Sequence, residues 1–139
     1  MGNIKAFLVP SIGDETKDVI ISDRFKDEEG KVQPFKIKII TQDENEVLRK
    51  QASRPKKKNG MIIGEELDAI RYNKLLVLAS VIVPDFHDQE LCKYYGTLDP
   101  MEVPGKMLSA GEYSKLSNAI LNFNGFNEDT DELEEEAKN

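Results

Sequence analysis

The N-terminal part of the chain alternates apolar and polar residues in the way that β-strands do. Residues 19–25 are rich in β-branched side chains, and residues 34–40 place apolar and basic side chains in turn. In the second segment one side of an extended chain carries Phe35, Ile37 and Ile39, and the other carries Lys36 and Lys38. The charged stretch between the segments includes Gly30, which suits a turn. The pattern predicts an antiparallel β-hairpin whose apolar face packs on the rest of the fold.

A capping-box pattern marks the start of the first predicted helix. Thr41 and Glu44 have the spacing at which each side chain can accept a hydrogen bond from the other residue's backbone N–H. The pattern predicts a helix that begins at Thr41 and ends before Pro55. Residues 53–60 then read as a basic loop, and the apolar residues 61–63 as a short strand or a docking segment.

The second half of the chain is predicted to be mostly helical. Its longest apolar pattern predicts a helix over residues 65–83 that ends before a proline. Asp88 caps a shorter helix that Gly96 closes, and a second capping box that starts at Ser109 precedes a last helix over residues 110–123. The predicted fold class is therefore α+β: a mainly helical single domain with one antiparallel β-hairpin near the N-terminus.

Composition divides the chain into three predicted parts. Residues 18–126 carry the strand and helix patterns, and 139 residues suffice for one domain with its own core. Residues 1–17 lack a sustained pattern, so we expect a flexible arm that either docks through Phe7 and Leu8 or simply frays. Residues 127–139 are acidic and too poor in apolar side chains to offset the cost of ordering. They are predicted to be a disordered acidic tail, which can serve as a solubilising segment.

Charge argues against nucleic acid as the main partner. The formal net charge is −7, so the surface as a whole repels phosphates. The best nucleic-acid candidate is one basic cluster that lacks interleaved aromatic residues for base stacking: Arg49, Lys50, Arg54, Lys56, Lys57 and Lys58. A solvated loop is the simpler interpretation, and contact with an acidic partner or with the acidic tail of another copy is a third.

The residue inventory predicts neither an enzyme nor a metal or cofactor site. The chain has one cysteine, Cys92, and one histidine, His87, which together cannot build a Cys/His zinc site. Gly30 does not anchor an EF-hand, because the first and twelfth loop positions would be Phe25 and Lys36. Phosphate-binding and dinucleotide-binding glycine motifs are absent. With no signal peptide and no membrane-length apolar run in the sequence, we expect a cytoplasmic protein.

Ordered sequence segments over about residues 18–126 resemble the XkdN-like phage tail assembly chaperones of tailed phages and PBSX-like defective prophages. The segments that carry the resemblance are residues 22–27, 34–37, 40–46, 79–85, 91–96, 99–100, 107–113 and 121–126. One departure is Ala110, near which the family pattern has a proline. That difference affects only the start of the last helix.

The resemblance implies a protein that acts by binding. Members of this class bind the long, helix-rich tape measure protein, keep it soluble and help to recruit the major tail tube protein, without remaining in the finished tail. Self-association of the chaperone would also be compatible with this role. The alternatives are a structural tail component that is retained in the particle and a small nucleic-acid-binding regulator. The residues predicted for the protein interface are Tyr113, Phe123, Phe126, Lys56, Lys57 and Lys58.

Overall fold

A three-stranded antiparallel sheet and five α-helices build the fold in the computed structural model, which describes residues 2–126. The sheet has the strand order β1 (Thr16–Val19), β2 (Phe35–Lys38) and β5 (Val81–Val83). The helices are α1 (Gln42–Ala52), α2 (Ala69–Ser80), α3 (Gln89–Tyr94), α4 (Val103–Met107) and α5 (Ala110–Phe123). The predicted α+β class is confirmed. The predicted tail, residues 127–139, lies outside the described residues.

The predicted N-terminal hairpin is present, but its first strand lies earlier in the chain than expected. β1 pairs antiparallel with β2, with Val19 opposite Phe35. The expected strand over residues 19–25 is wrong, because β2 offers partners only to the four residues of β1. After the strand, Ile21 turns into the core and Phe25 packs on Phe35 with 5.6 Å between ring centroids. Burial therefore decides the conformation of this β-branched segment.

The N-terminal arm contributes its last residues to the sheet. Thr16 and Lys17, which the sequence assigned to the arm, belong to β1. Before them the backbone forms two short 3₁₀ turns, Ile4–Phe7 and Ile12–Asp14. Phe7 and Leu8, through which the arm would dock in one of the two alternatives, are largely exposed.

Both capping boxes are formed as the sequence predicts. The Thr41 hydroxyl accepts a hydrogen bond from the Glu44 backbone N–H at 3.2 Å, and Ser109 accepts one from the Glu112 N–H at 3.1 Å. The C-terminus of α5 is closed by Gly125 at φ 82°, which allows the Phe126 N–H to donate to the Leu121 carbonyl at 3.0 Å. The hydrogen bonds of these caps are all local in the sequence.

The predicted helix over residues 65–83 is wrong at both ends. Its first residues lie in a strand, and α2 begins only after Asp68, whose side chain accepts from the Arg71 N–H. Its last residues form β5, in which Val81 lies opposite Ile37 of β2. The β-branched residues 81–83 at the end of the apolar pattern therefore form a strand, because β2 is available to pair with them.

The basic loop predicted over residues 53–60 is wrong as well, because a second hairpin occupies this part of the chain. β3 (Ser53–Lys58) pairs antiparallel with β4 (Met61–Leu67) in a separate two-stranded sheet, which we call the ribbon. The turn between the strands is Asn59-Gly60, with φ of 54° and 79°. Two positive φ values are what a tight hairpin turn requires, and Asn-Gly is a common sequence for it.

The hydrophobic core lies between the three-stranded sheet, α2 and α5. β2 contributes Ile37, which is fully buried, and α5 contributes Leu116 and Ile120, which are fully buried too. Leu76 and Val77 of α2 pack in the same cluster. The N-terminal turns of α2 and α5 lie next to each other at the surface.

Candidate functional site

An open groove of about 680 Å³ runs between the first turns of α2 and α5. Each helix begins here because a side chain caps it, Asp68 for α2 and Ser109 for α5. The groove is lined by Ala69, Ile70, Asn73, Lys74, Gly105, Leu108, Ser109, Ala110, Tyr113 and Ser114. Ile70 is 74% exposed, so the groove presents an apolar side chain to solvent.

Hydrogen bonds between α2 and α5 fix the width of this groove. Asn73 donates through Nδ2 to the Tyr113 hydroxyl at 3.2 Å, and the Ser117 hydroxyl donates to Asn73 Oδ1 at 3.0 Å. Burial raises the pKa of the Tyr113 phenol, which therefore stays neutral at physiological pH. Along one side, Lys74 Nζ lies 3.2 Å from Glu102 Oε2. The groove therefore combines apolar side chains with polar groups that hydrogen bonds hold in place, and the Lys74–Glu102 ion pair lies beside it.

The ribbon adds a second exposed surface, and its strand β4 precedes α2 in the chain. β4 carries three apolar side chains that are more than half exposed, Met61, Ile62 and Ile63. At the base of the ribbon Arg54 Nε contacts Glu66 Oε1 at 3.1 Å, and Asp68 lies 3.7 Å from the same guanidinium. The apolar residues of the ribbon and Ile70 of the groove are therefore carried by consecutive elements.

The structure separates the aromatic residues predicted for the interface. Tyr113 lines the groove, but Phe123 and Phe126 lie at the opposite end of α5, ten residues or more along the helix, which is roughly 15 Å. Phe123 packs against the core, and Lys17 Nζ approaches its ring at 5.9 Å from the centroid. Phe126 is 46% exposed. These three residues do not form one continuous surface.

The three predicted lysines lie on the ribbon, where Lys56, Lys57 and Lys58 are exposed on β3. Sequence reasoning gave residues 61–63 as a short strand or a docking segment, but it missed the strand that carries these lysines and the pairing between the two. It also included Ile70 in the apolar helix predicted over residues 65–83. The Asn59-Gly60 pair was the signal that could have revealed the hairpin.

The one histidine and the one cysteine each contact a residue that is close to them in the chain. The exposed imidazole of His87 lies 3.4 Å from Asp85 Oδ1, and the buried thiol of Cys92 donates to the Phe86 carbonyl at 3.2 Å. Within residues 2–126, no three His, Cys, Asp or Glu side chains are grouped so that they could hold a metal ion. In the same part of the chain, no helix has the length and apolar character to cross a membrane.

Comparison with known proteins places this architecture in a family. The sequence profile of the family described as "Phage XkdN-like tail assembly chaperone protein, TAC" matches residues 4–138. The "Phage-like element PBSX protein XkdN" of Bacillus subtilis (strain 168) is 39% identical over 137 residues, which cover 96% of this chain and 93% of the relative. YqbN of the same organism is 38% identical, over 96% of this chain and 92% of its own.

A solved structure supports the same grouping at the level of the fold. The crystal structure of YqbN superposes with a TM-score of 0.70 at 35% sequence identity, and covers 86% of this chain and 94% of its own. The family profile spans nearly the whole chain, and the relatives match over nearly their full length. The chain therefore belongs to the XkdN-like phage tail assembly chaperone family.

Proposed function

We propose that this chain acts in the cytoplasm of the bacterial host as a tail assembly chaperone, which binds the tape measure protein of its own phage-like element without catalysing a reaction. It would keep that protein soluble and help to recruit the major tail tube protein around it. The observation that carries the proposal is the open groove between α2 and α5 in a member of this family.

The shape and chemistry of the groove fit an amphipathic helix of the partner. Ile70, Leu108 and Ala110 offer apolar contacts to the stripe of such a helix. Asn73 and Ser114 also line the groove, and their polar groups can contact the polar residues that border that stripe. A long, helix-rich tape measure chain would expose many such stripes before assembly, and each would aggregate unless it were covered.

The acidic charge of the chain serves the same role. A formal net charge of −7 makes complexes with this chain repel one another, which opposes coaggregation of the loaded tape measure protein. Binding through an apolar groove and solubilisation through charge are therefore compatible in one small domain.

Replacing Ile70 with Glu should weaken this binding strongly while the fold remains intact. The side chain is 74% exposed, so a charge there costs little in folding but must be desolvated when a helix enters the groove. We expect the dissociation constant for the tape measure protein to rise at least about tenfold, since burying one such side chain contributes about 1.5–3 kcal/mol. The measurement is co-expression with the tape measure protein, followed by affinity capture and titration of the purified complex.

The matched control is Val47→Glu, which adds the same charge to an exposed apolar position on α1, outside the groove. It should bind as the wild type does. If the tape measure protein stays insoluble and unbound beside the folded wild-type chain, the proposed function is wrong. If Ile70→Glu binds normally, the partner uses another surface. Mass spectrometry of purified particles adds a separate test, because a chaperone should be absent from them.

A further inference from the structure

The two outer edges of the ribbon differ in their protection against strand pairing. β3 contains Pro55, which lacks a backbone N–H, and three consecutive lysines. Proline and lysine are the residues by which natural sheets block their edges. The outer half of β4 is instead Met61-Ile62-Ile63, which is apolar and exposed and contains neither residue type. Its one irregularity is a bulge at Ile63, where the pairing with β3 shifts register. Because the ribbon has only two strands, the backbone groups on the outer side of β4 lack a ladder partner among the described strands.

Charge along β4 favours antiparallel pairing with an identical strand. The apolar residues of β4 come first and Glu65 and Glu66 come last. A parallel copy would place the glutamates side by side, whereas an antiparallel copy centred on Ile62 places Met61 opposite Ile63. The glutamates of each strand then lie beyond the paired residues, at opposite ends of the contact. Apolar residues meet in the middle, and the like charges of the two strands are kept apart.

We propose that this edge of β4 is a dimer interface, in which the ribbons of two copies of this chain join through antiparallel β4–β4 pairing into one four-stranded sheet. The pairing is isologous, so Ile62 of one copy faces Ile62 of the other across the two-fold axis. This surface is distinct from the groove between α2 and α5, and the inference does not depend on which partner the groove binds.

Because Ile62 of one copy faces Ile62 of the other, charged substitutions at this position test the proposed pairing directly. Ile62→Lys places two ammonium groups opposite each other, and Ile62→Glu does the same with two carboxylates. Each variant should weaken dimerisation at least about tenfold, because the apolar contact is lost and like charges face each other. An equal mixture of the two variants should restore the dimer, because an ammonium group faces a carboxylate across the axis only when one copy carries I62K and the other carries I62E.

Sedimentation analysis over a wide concentration range measures these equilibria. Because Ile62 is 67% exposed, neither variant should lose the far-UV circular dichroism spectrum of the fold. The control is Leu98→Lys, which adds the same charge at a side chain that is 98% exposed outside the ribbon, and which should dimerise as the wild type does.

Three outcomes count against the proposal. A wild-type chain that stays monomeric at the highest concentration overturns it, and so does an Ile62→Lys variant that dimerises normally. If both variants are monomeric and their mixture is monomeric too, the wild-type contact is not strand pairing centred on Ile62. Tape measure capture by the Ile62→Lys monomer would leave the proposed function intact, so the two ideas succeed or fail separately.

Discussion

Replacing Phe86 with Ala should lower the free energy of unfolding by about 3–5 kcal/mol, the range typical of a large aromatic side chain removed from a packed core. Phe86 is 1% exposed and belongs to the central hydrophobic cluster, although it lies in the connection between β5 and α3. Its backbone carbonyl also accepts the hydrogen bond of the Cys92 thiol at 3.2 Å. The ring thus anchors an otherwise irregular segment.

The neighbouring residue supplies the control for this prediction. His87 is exposed, so His87→Ala should change the free energy of unfolding by less than about 0.5 kcal/mol. Chemical denaturation followed by circular dichroism measures both variants on one scale. Equal, small effects at the two positions would mean that Phe86 is not a core residue. A loss of about 3–5 kcal/mol is a large share of the roughly 5–15 kcal/mol that stabilises a typical domain.

The second large effect is expected at Glu112, where one carboxylate joins two parts of the fold. Glu112 completes the capping box of α5 by accepting from the Ser109 backbone N–H at 2.8 Å. It also accepts two hydrogen bonds from Arg24, from Nε at 2.9 Å and from Nη2 at 2.7 Å. Arg24 Nη2 donates in addition to the Met107 carbonyl. The bidentate pair therefore ties the connection after β1 to the start of α5, which is a stronger arrangement than an ordinary surface ion pair.

This geometry makes stability depend on acid pH. Hydrogen bonds from Arg24, from the Ser109 backbone and from Ser22 hold the pKa of the Glu112 carboxyl well below its ordinary value of 4.5. A carboxyl whose pKa is lower in the folded state stabilises the fold at pH values above its unfolded pKa. That contribution is lost progressively as the pH falls from about 4.5 towards the folded pKa.

The Glu112→Gln variant isolates the contribution of the charge. We expect a clearly lower melting temperature than that of the wild type at neutral pH, because the amide keeps an acceptor oxygen but loses the ionic interaction. The difference should narrow below about pH 4.5, because the carboxyl of the unfolded wild-type chain then binds a proton that must be released on folding. Thermal unfolding across this pH range measures it. A difference that stays constant with pH would contradict the ionic role.

Glu90→Gln provides the reference for that experiment. Glu90 is also an acid in the first turn of a helix, but it is exposed on α3. Its substitution reports the general effect of removing one negative charge near a helix N-terminus, which is usually less than about 1 kcal/mol. The part of the Glu112 effect that exceeds this reference belongs to the contact with Arg24.

Local chemistry along the sequence determined the features that depend on neighbouring residues. Thr41 and Ser109 start helices because their hydroxyls can accept from a backbone N–H three residues on. Gly125 ends α5 because it adopts a positive φ at little cost. The alternation through Phe35 and Ile37 predicted which face of β2 is buried, and the ordered segments predicted the family. The Asn59-Gly60 turn is local as well and could have been predicted.

Only the tertiary structure decided where long apolar patterns change from helix to strand. Val81 continues the helical apolar pattern in the sequence, but in the fold it pairs with Ile37 of β2. Because Ile37 is distant in the chain, the sequence around Val81 gives no signal of this pairing. The groove and the exposure of Ile70 arise from the packing of α2 on α5, because burial depends on which elements meet. Sequence periodicity reports that a face is apolar. Whether that face is buried in the core or left for a partner is decided by contacts between residues that are distant in the chain.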